Sequence, residues 1–164
     1  MSILKTLFLS IFAYTVVANS LPARDRFPQV LAHRGASGYL PEHSLQAYQL
    51  SMDLETDYSE PDLCLTKDGI FVAMHDLLLD DTTDVAEHSE FDDRKTTKSV
   101  DGESITGYFV SDFTYSELLT LRLRQRLSGR STLYDNFFQV SLLSGRVLAK
   151  FFFFEDITYN EQPY

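Results

Sequence analysis

"LAHRGASGYLPEHS", residues 31–44, decides the fold, because it places polar chemistry at the point where a buried strand stops. The run before it, "FPQVLA" (27–32), is typical of a core strand, and two glycines and a proline behind it are typical of a loop. His33 and Arg34 stand at the junction. Side chains that can carry positive charge are costly at the end of a core strand, so this junction predicts a functional site.

The periodicity of the 164-residue chain predicts alternating strands and helices in one domain at most. In chain order the predicted elements are a strand at 29–33, a helix at 45–54, a strand at 57–65, a turn at 66–69, an extended run at 70–75, a polar connection at 76–112 and a helix at 114–127. Leu45, Tyr48 and Met52 are predicted on the buried face of the first helix, with Ser44 as one candidate cap. This order favours an α/β chain.

The connection at 76–112 has no clear period, and its length favours either a functional insertion or a disordered segment. Within it, "DDRKTTK" (92–98) is a mixed charge run predicted to form a wet surface. His43 and His88 lie in hydrophilic sequence and are predicted to be solvated.

Charge and cysteine content exclude several classes of function. The formal net charge is −10, so nucleic acid and anionic lipid should be repelled. The single cysteine, Cys64, excludes an internal disulfide framework and a Cys-rich zinc site.

Residues 1–20 have the composition of a secretory signal peptide. Lys5 forms a short basic region, "TLFLSIFAYTVVA" (6–18) is apolar, and "ANS" (18–20) offers small residues for cleavage. A membrane anchor is the alternative, but the apolar run is short for a span. The prediction is therefore a secreted or periplasmic protein without a stable membrane span after cleavage.

A carboxylate pair lies in the predicted second strand. Because strand side chains alternate, Glu60 and Asp62 are expected on the same face, where their charges repel unless a cation binds. Ca²⁺ and Mg²⁺ both take carboxylate oxygens readily. The alternative is an edge strand with its polar face in water, which Pro61 favours.

His75 closes the third extended run in "MHD", again where apolar sequence stops. A lone histidine there is more often an ordinary surface residue. The three strand ends together change that interpretation, because sites in parallel α/β sheets gather at the carboxyl ends of strands. Arg34 can hold a phosphate oxygen, a metal on Glu60 and Asp62 can polarise it, and two histidines can divide acid and base work. That set predicts phosphodiester cleavage.

Several stretches resemble glycerophosphodiester phosphodiesterases of the exported, periplasmic type. They are "AHRGASGYLPEHSLQAY", "EPDLCLTKDG", "MHD" and "TTDVAEHSEFDDRKTTKSVDGESITGYFVSDFT", in collinear order over about residues 28 to 140. The resemblance implies that His33 is the catalytic base, that Arg34 contacts phosphate and that His75 protonates the leaving alcohol. It also implies that Glu60 and Asp62 are metal ligands, with calcium expected.

The reaction implied by the resemblance starts with attack of the glycerol 2-hydroxyl on phosphorus. A cyclic phosphate forms, and water opens it to sn-glycerol 3-phosphate. The partner is then a small-molecule glycerophosphodiester. The implied fold is a (β/α)₈ TIM barrel of the phosphatidylinositol-phospholipase-C-like type, which needs roughly 250 residues. The expectation is a partial barrel, about its first third to half.

The tail at 141–164 diverges from the pattern that the resemblance implies, which continues with a third metal-binding glutamate and often a lysine. Lys150 and Glu155 stand in the opposite order around "FFFF" (151–154), so neither receives that role. The expectation is a truncated product of low activity that self-associates through its unfinished barrel.

Two other functions remain open from the sequence. One is a secreted, non-catalytic homologue that binds metal or phosphodiester only. The other is a related lipid phosphodiesterase on the same barrel, such as a phosphatidylinositol phospholipase C or a sphingomyelinase D.

Overall fold

The computed structural model describes residues 28–142. The predicted signal peptide at 1–20 and nearly all of the predicted tail at 141–164 lie outside the described residues. Between residues 28 and 142, no helix is long and apolar enough to cross a membrane.

Short strands, two α-helices and three 3₁₀ turns make up the described part of the chain. The strands and α-helices are β1 (Leu31–His33), α1 (Leu45–Asp53), β2 (Tyr58–Glu60), β3 (Leu63–Leu65), β4 (Phe71–Ala73), β5 (Thr96–Val100), β6 (Glu103–Gly107) and α2 (Tyr115–Leu118). The 3₁₀ turns are Val85–Glu87, Ser89–Arg94 and Val110–Asp112.

β1, α1 and β2 form a parallel β-α-β unit. β1 pairs with β2 in parallel, so that Leu31 lies opposite Tyr58 and His33 lies opposite Glu60. Parallel strands need a crossover between them, and α1 supplies it. The carboxyl ends of β1 and β2 therefore meet, as the sequence predicted.

The single strand predicted at 57–65 is wrong. β2 ends at Glu60, and β3 starts at Leu63 and pairs antiparallel with β4. Pro61 lies at the break, and a proline has no N–H to donate to a ladder. Glu60 and Asp62 are thus not on one face of a continuous strand.

α1 begins directly after Ser44, the predicted cap. The Ser44 side chain accepts a hydrogen bond from the Ala47 backbone N–H, which satisfies a donor that the first turn leaves open. Tyr48 is buried as predicted, but Leu45 is exposed and Met52 only half-buried. Small residues instead face the interior, because the loop after β1 approaches the helix closely.

The connection at 76–112 is ordered and belongs to the core. β5 and β6 form an antiparallel hairpin whose turn residues Asp101 and Gly102 have φ values of 52° and 89°. Such a pair of left-handed residues gives the turn twist that two-residue hairpins favour. The buried core cluster consists of Cys64, Val72, Met74, Leu79, Val85, Phe91, Tyr108, Val110, Phe113, Leu118, Leu121, Leu123 and Val140.

The run at 92–98 forms a mostly exposed surface, as the sequence predicted, and two of its cations also contact buried aromatic rings. The Arg94 guanidinium lies 4.9 Å from the centroid of the Phe113 ring, and Lys98 Nζ lies 4.7 Å from that of Phe109. The cationic groups themselves lie over the rings, which is the geometry of a cation–π contact.

The helix predicted at 114–127 is also wrong in length, since α2 ends at Leu118. Leu121 and Leu123 are buried beyond it, a spacing of two that suits extended chain. Leu123 forms an antiparallel bridge with Thr83. Tertiary pairing therefore overrides the helical periodicity of the sequence.

Candidate functional site

Three predicted site residues meet at the carboxyl end of the β1–β2 pair. His33, Glu60 and Asp62 each offer one ligand atom, and these atoms all lie within 4.8 Å of one another. His33 and Glu60 are ladder partners, and Asp62 is placed by a hydrogen bond from the Met74 N–H to its carbonyl. The cluster thus depends on the strand break as much as on the parallel pair.

Glu60 carries a buried oxygen without a hydrogen-bond donor. Its Oε2 is inaccessible to solvent and has no hydrogen-bond partner in the described chain. The Nε2 of His33 lies 3.9 Å from this oxygen, too far for a hydrogen bond. An unsatisfied buried carboxylate oxygen is costly, and a cation removes that cost. These residues fit a hard divalent metal.

Arg34 lies buried at the same edge, with 5% of its surface exposed. Its Nη1 donates to Glu42 Oε1 at 2.9 Å, and its Nε lies 3.2 Å from Asp62 Oδ2. Nη2 forms no hydrogen bond with any residue between 28 and 142, and the buried Nε also lacks a hydrogen-bond partner there. Arg34 also has a φ of 64°, a left-handed value that is uncommon for a residue with a side chain.

Gly35 explains why the loop after β1 can lie so close to α1. A Cβ built at Gly35 would stand 2.8 Å from the backbone carbon of Ala47, and its φ is 75°. The Ala36 N–H also donates to the Ala47 carbonyl at 2.9 Å. Only glycine fits this position without a backbone shift.

The structure buries His43, which the sequence predicted to be solvated, so that prediction is wrong. The residue is 1% exposed. Its Nδ1 lies 2.6 Å from the Tyr48 hydroxyl, and its Nε2 lies 3.2 Å from Asp62 Oδ2. No hydropathy signal marks this burial, and the backbone of His43 has a left-handed φ of 61°.

The protonation of His43 follows from these contacts. Burial lowers the pKa of His43 to about 4, so the ring is neutral near pH 7. Burial also raises the pKa of Tyr48, which keeps its hydroxyl proton. Since a carboxylate only accepts, Nε2–H donates to Asp62 and the Tyr48 hydroxyl donates to Nδ1. A neutral histidine therefore orients Asp62.

Glu42, Asp76 and Arg126 are site residues that sequence reasoning missed. Glu42 is 3% exposed and lies between two guanidinium groups, since Arg126 Nε is 3.5 Å from its Oε2. Arg126 Nη1 lies 3.5 Å from Asp76 Oδ2. The preceding residue, His75, has its Nδ1 2.5 Å from Asp76 Oδ1.

His75 lies at the same edge as the ligand cluster but outside it. It follows Met74, whose N–H donates to the Asp62 carbonyl at 3.1 Å. His88, the other histidine predicted to be solvated, is half-buried between Asp84 and Glu90, with Nε2 3.3 Å from Asp84 Oδ1. It makes no contact with the site.

Comparison with known proteins identifies the family of the chain. Residues 33–155 match the glycerophosphoryl diester phosphodiesterase family. The chain belongs to this family. The match begins at His33 and continues past residue 140, so it includes every predicted site residue.

Curated glycerophosphodiester phosphodiesterases resemble the chain over most of its length. One from Arabidopsis thaliana is 44% identical over 123 residues, which cover 75% of this chain and 33% of the relative. One from Haemophilus influenzae is 41% identical over 132 residues, covering 74% of this chain and 33% of the relative. The chain spans about a third of the length of these relatives.

Solved structures of the family share the fold. A glycerophosphodiester phosphodiesterase from Agrobacterium tumefaciens superposes with a TM-score of 0.51 and 24% identity, covering 73% of this chain and 41% of that one. The glycerophosphoryl diester phosphodiesterase domain of a Mycobacterium tuberculosis protein superposes with a TM-score of 0.53 and 16% identity. The superposition covers 75% of this chain and 39% of that one. The predicted fold, part of a (β/α)₈ barrel, is confirmed at this level.

The charges of this candidate site are unbalanced without a cation. Its carboxylates outnumber its guanidinium groups by two when the histidines are neutral. The carboxylates are Glu42, Glu60, Asp62 and Asp76, and the guanidinium groups are Arg34 and Arg126. One divalent cation would neutralise the excess.

Proposed function

We propose that this chain carries the site of a metal-dependent glycerophosphodiester phosphodiesterase, which releases sn-glycerol 3-phosphate and an alcohol. The observation that carries the proposal is the parallel register of His33 with Glu60, which gathers a base, metal ligands and Arg34 at one strand edge. The family membership supports the reaction class.

Glu60 and Asp62 would hold the metal, with Ca²⁺ first and Mg²⁺ as the alternative. Support comes from the unsatisfied Oε2 of Glu60 and from the all-oxygen character of the two carboxylates, which hard cations prefer. A bound divalent ion supplies charge neutralisation at the phosphate oxygens.

Arg34 would position the phosphate through Nη2, since its other donor groups face Glu42 and Asp62. The buried Glu42 carboxylate and the half-buried Asp62 carboxylate hold the guanidinium plane, so little side-chain entropy remains to be lost when an anion binds. The fixed plane also suits forked contacts to phosphate oxygens.

His33 and His75 would move the protons. In the first step the glycerol 2-hydroxyl gives its proton to His33 and forms an O–P bond. The P–O bond to the alcohol breaks, and His75 protonates that alcohol. Water then opens the cyclic phosphate with the roles reversed. His33 is accessible enough for this work, since 63% of its side chain is exposed.

A second candidate function follows from the same cluster. His33 is itself one of the three residues whose ligand atoms converge. If its Nε2 binds the metal, it cannot act as a base. The chain would then bind metal and phosphodiester without turnover.

Release of glycerol 3-phosphate from glycerophosphocholine tests the proposal. The full chain is assayed with Ca²⁺ and with chelator, beside His33→Ala and Arg34→Gln, with folding checked by circular dichroism. We expect turnover that disappears with chelator and in His33→Ala. Calcium binding by a folded chain without turnover would instead support the binding protein. Cleavage of phosphatidylinositol or sphingomyelin alone would support a related lipid phosphodiesterase.

We also propose that the protein is exported. The support is the sequence at 1–20, which lies outside the described residues. Expression of the full chain followed by mass spectrometry of the secreted material should find cleavage near Ser20. A chain that stays in the membrane fraction with an intact N-terminus would contradict this proposal.

A further inference from the structure

The segment at 122–130 lies across the loop that follows β1. Gln125 Nε2 donates to the Ser37 carbonyl at 3.1 Å, and Arg130 Nη1 donates to the same oxygen at 2.8 Å. These contacts join parts of the chain that are 88 and 93 residues apart in sequence. Two donors on one carbonyl hold this segment firmly beside the site.

Arg126, between those two anchors, contacts carboxylates from two different loops. Its Nε lies 3.5 Å from Glu42 Oε2, and its Nη1 lies 3.5 Å from Asp76 Oδ2. The other oxygen of Glu42 accepts from Arg34, and the other oxygen of Asp76 is bonded to His75. Arg126 therefore closes a continuous ionic chain between Arg34 and His75.

The contact between Asp76 and His75 selects one form of the imidazole. A carboxylate only accepts hydrogen bonds, so His75 Nδ1 must carry the proton at that contact. Nε2 is then the ring nitrogen with the lone pair in the neutral form. Any group that fixes Asp76 also fixes this tautomer.

We propose that Arg126 is a positioning residue. It fixes the Asp76 carboxylate and thereby holds His75 in the Nδ1–H tautomer, and through Glu42 it links this pair to Arg34. The rigid guanidinium fork suits this role, because it reaches two carboxylates at once, whereas an ammonium is a point charge on a flexible stem. The catalytic meaning of the inference rests on the proposed function, but its structural content does not.

Simple charge compensation of buried Glu42 is the rival explanation. Arg126 would then stabilise the fold without any effect on His75. The two explanations differ in the state of the His75 ring, which neutralisation of Glu42 alone would not change.

Long-range ¹H–¹⁵N NMR of the imidazole nitrogens in the full ¹⁵N-labelled chain, at about pH 8 where histidines are neutral, makes the test. The His75 signals are assigned by their loss in His75→Gln. In the wild type His75 should be mainly the Nδ1–H tautomer. In Arg126→Gln the ratio of the Nδ1–H to the Nε2–H tautomer of His75 should fall. Arg126→Lys keeps the positive charge at this position, but the tautomer ratio of His75 should still be lower than in the wild type. Arg124→Gln, whose guanidinium pairs with Glu87, is the control that should leave the ratio unchanged.

An unchanged His75 ratio in both folded Arg126 variants would overturn the inference, as would full rescue by lysine. If Arg126→Gln loses its dispersed spectrum, Arg126→Lys alone decides, because it keeps the charge that Glu42 needs. Where the wild type turns over, Arg126→Lys should lower kcat about tenfold with KM within about twofold. If the wild type shows no turnover but the His75 tautomer ratio changes in the Arg126 variants, the proposed function is refuted and this inference stands.

Discussion

His33 lies directly opposite Glu60 in the parallel β1–β2 ladder, with its Nε2 3.9 Å from Glu60 Oε2. The last residues of two neighbouring strands thus face each other, and both lie beside Asp62. The backbone ladder, rather than any flexible loop, sets this distance. Sites on paired strands hold their geometry well because the hydrogen bonds of the ladder position both Cα atoms.

Asp62→Asn should weaken calcium binding by about 10- to 100-fold, because the amide loses the charge and one acceptor that a hard cation needs. Isothermal titration calorimetry on the full chain gives the affinity. Asp101→Asn is the matched control, since this exposed turn residue has a φ of 52°, which asparagine tolerates. Equal affinities for wild type and Asp62→Asn would remove Asp62 from the metal site.

Gly35→Ala should destabilise the fold by about 2 kcal/mol or more, because the new Cβ meets the Ala47 backbone at 2.8 Å while φ stays at 75°. Urea unfolding measures the change. Gly69→Ala is the control: its φ is 79°, but nothing lies within 4 Å of the added Cβ. That variant should lose only about 1 kcal/mol, the cost of the φ value alone. Equal losses would show that the close approach to α1 is not tight.

The burial of His43 predicts a pH dependence of stability. Its pKa is about 4 in the folded chain and 6.5 when the ring is fully solvated, so the unfolded state takes up the proton first as pH falls. The free energy of unfolding that this residue contributes is complete above about pH 6.5. Roughly 3 kcal/mol of it is lost as pH falls toward about 4.

The difference in unfolding free energy between wild type and His43→Asn, measured with chelator from pH 7.5 to 4, isolates this effect. Asparagine does not titrate and tolerates the φ of 61° at this position. A difference that stays constant over this range would mean that the ring is not buried in its neutral form.

Exposed apolar side chains on β3 and β4 predict self-association of the purified chain. Leu65 and Phe71 are ladder partners, and 48% and 53% of their surfaces are exposed. An uncovered apolar sheet face usually packs against another layer. Sedimentation velocity should show dimers or larger species that Leu65→Ser/Phe71→Ser reduces. Leu127→Ser, an exposed position elsewhere, should leave the distribution unchanged, and a monomeric wild type would contradict the prediction.

The sequence by itself determined the features that depend on neighbouring residues. The cap at Ser44 and the order strand, helix, strand each have a local signal, and the parallel pairing of β1 and β2 follows from that order. The meeting of His33 with Glu60 was predictable for this reason. The apolar run before His33 marks the strand but not its burial: the predicted core strand is wrong, since Val30 and Leu31 are 54% and 56% exposed. The family resemblance was also readable, because its motifs are collinear in the chain.

Tertiary structure alone decided the contacts between distant segments. Hydropathy cannot report that His43 is buried, since a left-handed backbone turn and Asp62, 19 residues away, create its environment. The same holds for Arg126, which reaches Asp76 across 50 residues. The early end of α2 arises because tertiary pairing outweighs local periodicity. Local pattern thus places the strand ends, and only packing selects the charged partners that surround them.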